Sequence, residues 1–138
     1  MTKSSGFTLI ELLVVVALLG IISSIGIVSY SGYVDAAKRK SAENIMMQIS
    51  LAQSEYYSDN DSYYYTPGCD IDNSSESSDK IEKYLLGEAD VISKDIGYEF
   101  CILTEKNGYK IQTREQNSKN PCIMFYTDKS VLTKEKNC

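Results

Sequence analysis

The chain has 138 residues, 43% of them apolar, with no histidine and with 14 basic against 19 acidic side chains, a net charge of −5. Without histidine there is no His-based acid–base pair, no Ser-His-Asp triad and no His-containing zinc site, and no Gly-rich GxGxxG or GxxxxGK[ST] run is present to cradle a nucleotide. The acidic balance argues against a generally basic nucleic-acid-binding surface, while the apolar content and 11 tyrosines supply a folded core and argue against disorder.

The first predicted element is apolar. Residues 7–34 hold 19 apolar positions out of 28 and one charge, Glu11, and the 23 residues from Leu12 to Val34 carry none. About 20 such residues cross a hydrocarbon core of ~30 Å. A secretory signal would be shorter and would follow a basic region, whereas only Lys3 precedes this run. A plain membrane anchor gives no reason for Glu11, because a carboxylate costs about 2.5–3.5 kcal/mol at the centre of an inserted helix. It either snorkels to the headgroups or meets a partner of opposite charge. Basic residues do not orient the segment: Lys3 on one flank faces Lys38, Arg39 and Lys40 on the other, with Asp35 among them.

Beyond Val34 the helical period continues and becomes amphipathic. Val34, Ala37, Ser41, Ile45, Ile49, Ala52 and Tyr56 form one stripe at i, i+3, i+4 spacing, and no Pro or Gly interrupts residues 33–57. The pattern predicts one helix from about Phe7 to Tyr57, roughly 75 Å long at ~1.5 Å per residue. Its amphipathic part, residues 35–57, packs on a globular head.

From Ser58 the sequence turns polar, and Pro67-Gly68 marks a turn. A short helix is predicted next, capped by Ser77 or Ser78 with Asp79 in its first turn, burying Ile81, Tyr84 and Leu85 and stopping at Gly87. Strands follow: Tyr98 to Leu103, then Asn107-Gly108 as a two-residue hairpin turn into Tyr109 to Thr113. Cys122 to Thr127 reads as a third strand and Val131 to Thr133 as a fourth. Three or four antiparallel strands laid over the helix make an α+β head. The run of tyrosines at 63–65 is expected to cover the sheet edge and pack on the helix.

Cys69, Cys101, Cys122 and Cys138 form an even set separated by 32, 21 and 16 positions, with no CxxC. Such spacing fits disulfides in an oxidising compartment better than a metal site. Four cysteines allow three connectivities. Asp70 to Glu76 is carboxylate-rich, but it lacks the Gly of an EF-hand loop and places Ile81 where the bidentate acid belongs, so no metal and no cofactor is expected.

Gly6-Phe7-Thr8-Leu9-Ile10-Glu11, after a short polar leader and before an unbroken apolar run, resembles the class III signal of type IV pilins and pseudopilins. Val28 to Val34 is similar to the segment that closes the membrane part of the type IVa pilin helix. The resemblance covers about the first third of the chain. It implies a leader at 1–6, a membrane-spanning and fibre-core half-helix at 7–34, the amphipathic half at 35–57, and a head at 58–138. Within the head, 58–93 would be the connector and 96–138 the sheet with the C-terminal disulfide region. It implies cleavage after Gly6 by a prepilin peptidase, N-methylation of the new terminus Phe7, and a bond from Glu11 to the terminal amine of a neighbouring subunit. The precursor would sit in the inner membrane with its head in the periplasm, and the product would be an extracellular pilus serving adhesion, twitching motility or DNA uptake.

On this resemblance the protein is a non-enzymatic filament subunit whose partners are identical or related subunits, the peptidase and the assembly machinery. A type II secretion pseudopilin is the alternative. A Cys122–Cys138 bridge would match the C-terminal disulfide loop of type IV pilins, and Cys69–Cys101 would then tie the connector to the first strand. The chain departs from the type IVa pattern at Val28, where a helix-kinking proline is common; Val28 retains its N–H, and Gly20, Gly26 and Gly32 are the remaining points of flexibility. A nucleic-acid ligand would need Lys106, Lys110, Arg114, Lys129, Lys134 and Lys136, which are interspersed with Glu105, Glu115, Asp128 and Glu135. Nothing else in the sequence supports that partner.

Overall fold

The computed structural model describes residues 6–69, 75–135, 137 and 138. Helix α1 spans Leu9–Asn60 and α2 Ser75–Tyr84; a single 3-10 turn, Lys94–Ile96, precedes strands β1 (Tyr98–Glu105), β2 (Gly108–Glu115), β3 (Ile123–Thr127) and β4 (Leu132–Lys134). The chain divides into two compact units, the first ending at Ala37 and the second running from Lys38 to Cys138.

In the first unit the backbone stays helical through Gly20, Gly26, Val28 and Gly32. Apolar side chains such as Leu13, Leu19 and Ile25 are exposed all round. A helix apolar on every face belongs in lipid or inside an assembly, and this one is long and apolar enough to cross a membrane. The hydroxyl of Ser24 donates to the Ile21 carbonyl at 2.7 Å, so it needs no water.

α1 begins two residues later and ends three residues further on than the Phe7 to Tyr57 expected. Its polar end continues because side chains close back on the helix: Ser54 and Ser58 hydroxyls donate to the carbonyls four residues earlier at 3.2 and 3.0 Å, and the Asn60 amide donates to the Tyr56 carbonyl at 3.0 Å. Asp61, at φ 53°, then turns the chain away.

In the second unit the four strands form an antiparallel meander in the order β1-β2-β3-β4. Register aligns Phe100 with Thr113 and Thr113 with Met124, and Ile102 with Ile111 and Ile111 with Tyr126, so two cross-strand rows share a face. These rows, with Ala42, Ile45, Met46 and Ile49 of α1 and Ile81 of α2, form the core. The long helix thus packs against a four-stranded antiparallel sheet, a pilin-like α+β fold.

Local predictions are corrected in several places. The buried residues of α1 are Ala42, Glu43, Ile45, Met46, Ile49 and Gln53; Ala37 and Ser41 of the expected stripe are exposed. Gln53 is buried because its amide is matched, donating to the Tyr64 carbonyl at 2.6 Å and accepting from the Tyr64 N–H at 2.9 Å. Ser77 and Ser78 lie inside α2 rather than at its cap. The Ser78 hydroxyl instead serves β1, accepting from the Phe100 N–H at 3.0 Å and donating to Glu99 Oε2 at 2.6 Å. α2 ends at Tyr84, not Gly87, and Tyr84 is exposed; the Glu88 N–H closes on the Glu82 carbonyl at 2.9 Å past Gly87 at φ 67°.

The β1–β2 loop is Lys106 and Asn107, since Glu105 pairs with Gly108. Gly108 lies close under a side chain: a Cβ there would lie 2.4 Å from Asp128 Oδ2, so the Asp128 carboxylate would have to move. β3 starts at Ile123, one residue after Cys122, and β4 is displaced by one residue to Leu132–Lys134. The outward edge of β1 is covered by Ser78 and by Thr66, whose N–H donates to the Ile102 carbonyl at 3.1 Å and whose hydroxyl accepts from the Ile102 N–H at 3.2 Å.

Candidate functional site

Phe7, Thr8 and Glu11 meet at the start of α1. Thr8 is the residue before the first helical position, and its side chain accepts from the Glu11 N–H at 3.3 Å. Glu11 reaches back, its Oε2 accepting from the Thr8 N–H at 2.9 Å and the Thr8 hydroxyl at 2.6 Å. This is a reciprocal capping box, in which two otherwise orphaned N–H groups are satisfied and a negative charge lies at the positive end of the helix. Thr8 was not singled out from sequence; the signal for it, Thr-x-x-Glu before an apolar run, was there.

Both bonds end on Oε2, and Oε1 takes no part in the cap. Gly6 lies before the helix, outside any regular element, and a Cβ on it would meet nothing within 4 Å. Phe7 is 82% exposed. The geometry therefore presents an exposed Gly6–Phe7 peptide bond, with Phe7 four residues before the Glu11 carboxylate, whose Oε1 takes no part in the cap.

In the head, Cys69 is joined to Cys101 and Cys122 to Cys138, with Cα separations of 5.8 and 4.7 Å. The Cys138 carbonyl accepts from Arg39 Nη1, and Glu43, only 3% exposed, pairs with Lys40 at 2.7 Å and with Lys134 of β4. Burial pushes the Glu43 carboxyl up, but the hydrogen bonds and charges of Lys134 and Lys40 outweigh it and hold the group below the ordinary carboxylate range. Neither Glu43 nor Arg39 was foreseen as a head-to-helix contact; an acid within an amphipathic helix reads as solvated until its distant partner is known.

Tyrosines pack in two series: Tyr57 on Tyr63 and Tyr63 on Tyr109, at 4.6 and 4.9 Å between ring centres, and Tyr56 on Tyr64 and Tyr64 on Tyr84, at 5.8 and 6.2 Å. The rings cover the helix and sheet end. Of the basic residues considered for nucleic acid, Lys134 is held by Glu43 and Lys110 by Glu105 at 3.0 Å, while Lys136 lies outside the described residues. The carboxylate-rich stretch at 70–74 also lies outside them. Among the described residues no cluster of His, Cys, Asp or Glu could hold a metal ion.

Comparison with known families matches residues 1–27 to the prokaryotic N-terminal methylation motif. With the fold, the match defines a class: a pilin-like structural protein with an N-terminal membrane-anchoring helix. No curated protein and no solved structure matches the chain.

Proposed function

We propose that the protein is a structural subunit of a type IV pilus. The observation that carries this reading is the methylation motif over residues 1–27 placed on the apolar half of a helix whose other half packs in a disulfide-bonded α+β head. A prepilin peptidase cuts after Gly6, and Phe7 becomes the methylated N-terminus. Removal of the leader leaves an ammonium on Phe7, next to Thr8 and four residues before Glu11 of the capping pair. Glu11 Oε1, which the cap does not use, accepts the ammonium of a neighbouring subunit, so charge is neutralised in the apolar fibre core while the helix end stays capped. Before assembly the protein lies in the inner membrane with its head in the periplasm, where the two bridges form; afterwards it is extracellular.

Mass spectrometry of filaments sheared from cells that make the protein tests the reading. It predicts a chain that begins at methylated Phe7, present in the filaments and lost from them in Glu11→Leu, which stays membrane-inserted. Absence from filaments together with loss of secretion would replace the reading by that of a type II secretion pseudopilin. Normal incorporation of Glu11→Leu would remove the role given to the carboxylate.

A further inference from the structure

The head carries a groove of about 600 Å³ between α1 and the end of α2, lined by Leu51, Glu55, Tyr56, Asp59, Tyr84 and Leu86 among others. Leu51 is 73% exposed and Tyr84 58%, large apolar surfaces that the fold does not cover. Every charge lining the groove is acidic. Glu55 and Asp59 are four residues apart on one helical face, a mildly destabilising like-charge arrangement, and neither forms an ion pair among the described residues.

An exposed cation occurs elsewhere on the same head, beside Asp128. The turn between β3 and β4 exposes Lys129 and presents Val131, 53% exposed, two residues on. Lys129 likewise has no ion pair among the described residues. The two surfaces are on different flanks: α2, which walls the groove, packs on β1 at one edge of the sheet, and β4 is the other edge.

We infer that the groove is a docking site for a second copy of this chain, which inserts its β3–β4 turn so that Val131 covers Leu51 and Tyr84 and Lys129 meets Glu55 and Asp59. Because the two surfaces differ, the contact is heterologous and propagates instead of closing as a dimer. The inference rests on the filament reading and gives it a head-to-head contact, separate from the apolar helix.

Zero-length carbodiimide coupling in cells that make the full-length protein, with two differently epitope-tagged copies co-expressed, tests it. An amide between Lys129 of one copy and Glu55 or Asp59 of another is expected. Glu55→Lys with Asp59→Lys, or Lys129→Glu alone, should lower the cross-link between the two tagged copies at these positions by at least about tenfold, and the three changes combined should restore it. All three sites are on the surface, and mapping of the disulfides verifies the fold of each variant. A cross-link confined to one copy, one made only to another protein, or a triple variant that regains nothing overturns the inference. If filaments contain the chain but this cross-link is missing, the contact fails and the pilus reading stands. If the cross-link forms between membrane-bound copies in cells without filaments, the contact stands and the pilus reading fails.

Discussion

Glu43→Gln removes one charge from the point where the edge strand β4 meets α1. Glu43 is almost fully buried, but its partners are not: the Lys40 side chain is 71% exposed and that of Lys134 43%. A hydrogen bond to a charged group contributes about 1.5–3 kcal/mol, yet two lysines that regain their hydration recover much of it, so the expected loss is about 1–2 kcal/mol at neutral pH. For a folded unit of this size that lowers the melting temperature by about 5–10 °C. Thermal unfolding followed by near-ultraviolet circular dichroism of the tyrosines, on the full chain in detergent, reads the head separately from the apolar helix. The carboxyl titrates below its ordinary range in the folded state, so on acidification the unfolded chain binds the proton first. The stabilisation is complete above the ordinary carboxylate range and disappears as the pH falls through the folded value, where wild type and variant should converge. Equal melting at neutral pH, or a gap unchanged in strong acid, would refute the reasoning.

Burial is the main influence on Glu99, with Asp79 adding to it; together they raise its pKa against the hydrogen bond from Ser78 and the charge of Lys94, so its contribution to stability is present in acid and lost as the pH rises through the folded value. Glu99→Gln is therefore expected to match or exceed wild-type stability at neutral pH in a denaturant titration, and a marked loss there would contradict it. Gly108→Ala drives a methyl into Asp128 and should destabilise the β1–β2 end by about 1–3 kcal/mol, an effect that Asp128→Gly in the same chain should largely remove. Replacing both Cys122 and Cys138 by serine opens a link spanning 16 positions and should cost about 3 kcal/mol in the chain-entropy description, seen as a lower denaturant midpoint.

What could be read from the sequence was whatever local pattern controls. The uncharged run before Val34 and the alternation through Tyr98 to Ile102 each define an element without reference to the rest of the chain, whereas the Asn-Gly pair marks the hairpin but sets its turn one residue late. Errors came where a distant group decides. Gln53 is buried because the Tyr64 backbone satisfies it, so a stripe built on apolar residues drifted toward Ala37 and Ser41. Ser78 looked like a cap, yet its hydroxyl is taken by a strand 22 residues away. At the candidate site the cost of a charge marks Glu11, whereas Thr8, a polar residue that costs little, carries no such mark although the two form one capping unit.

Thr66 and Ser78, which cover the edge of β1, also fix the two ends of the stretch between them in place. A segment held at both ends is thermodynamically replaceable: doubling the length of such a loop adds only about 0.6 kcal/mol of closure entropy. The bridge from Cys69 to Cys101 of β1 ties the start of this stretch to the sheet as well, so the part of the connector after Cys69 is the natural position at which to splice an epitope or tag into the head without rebuilding its core.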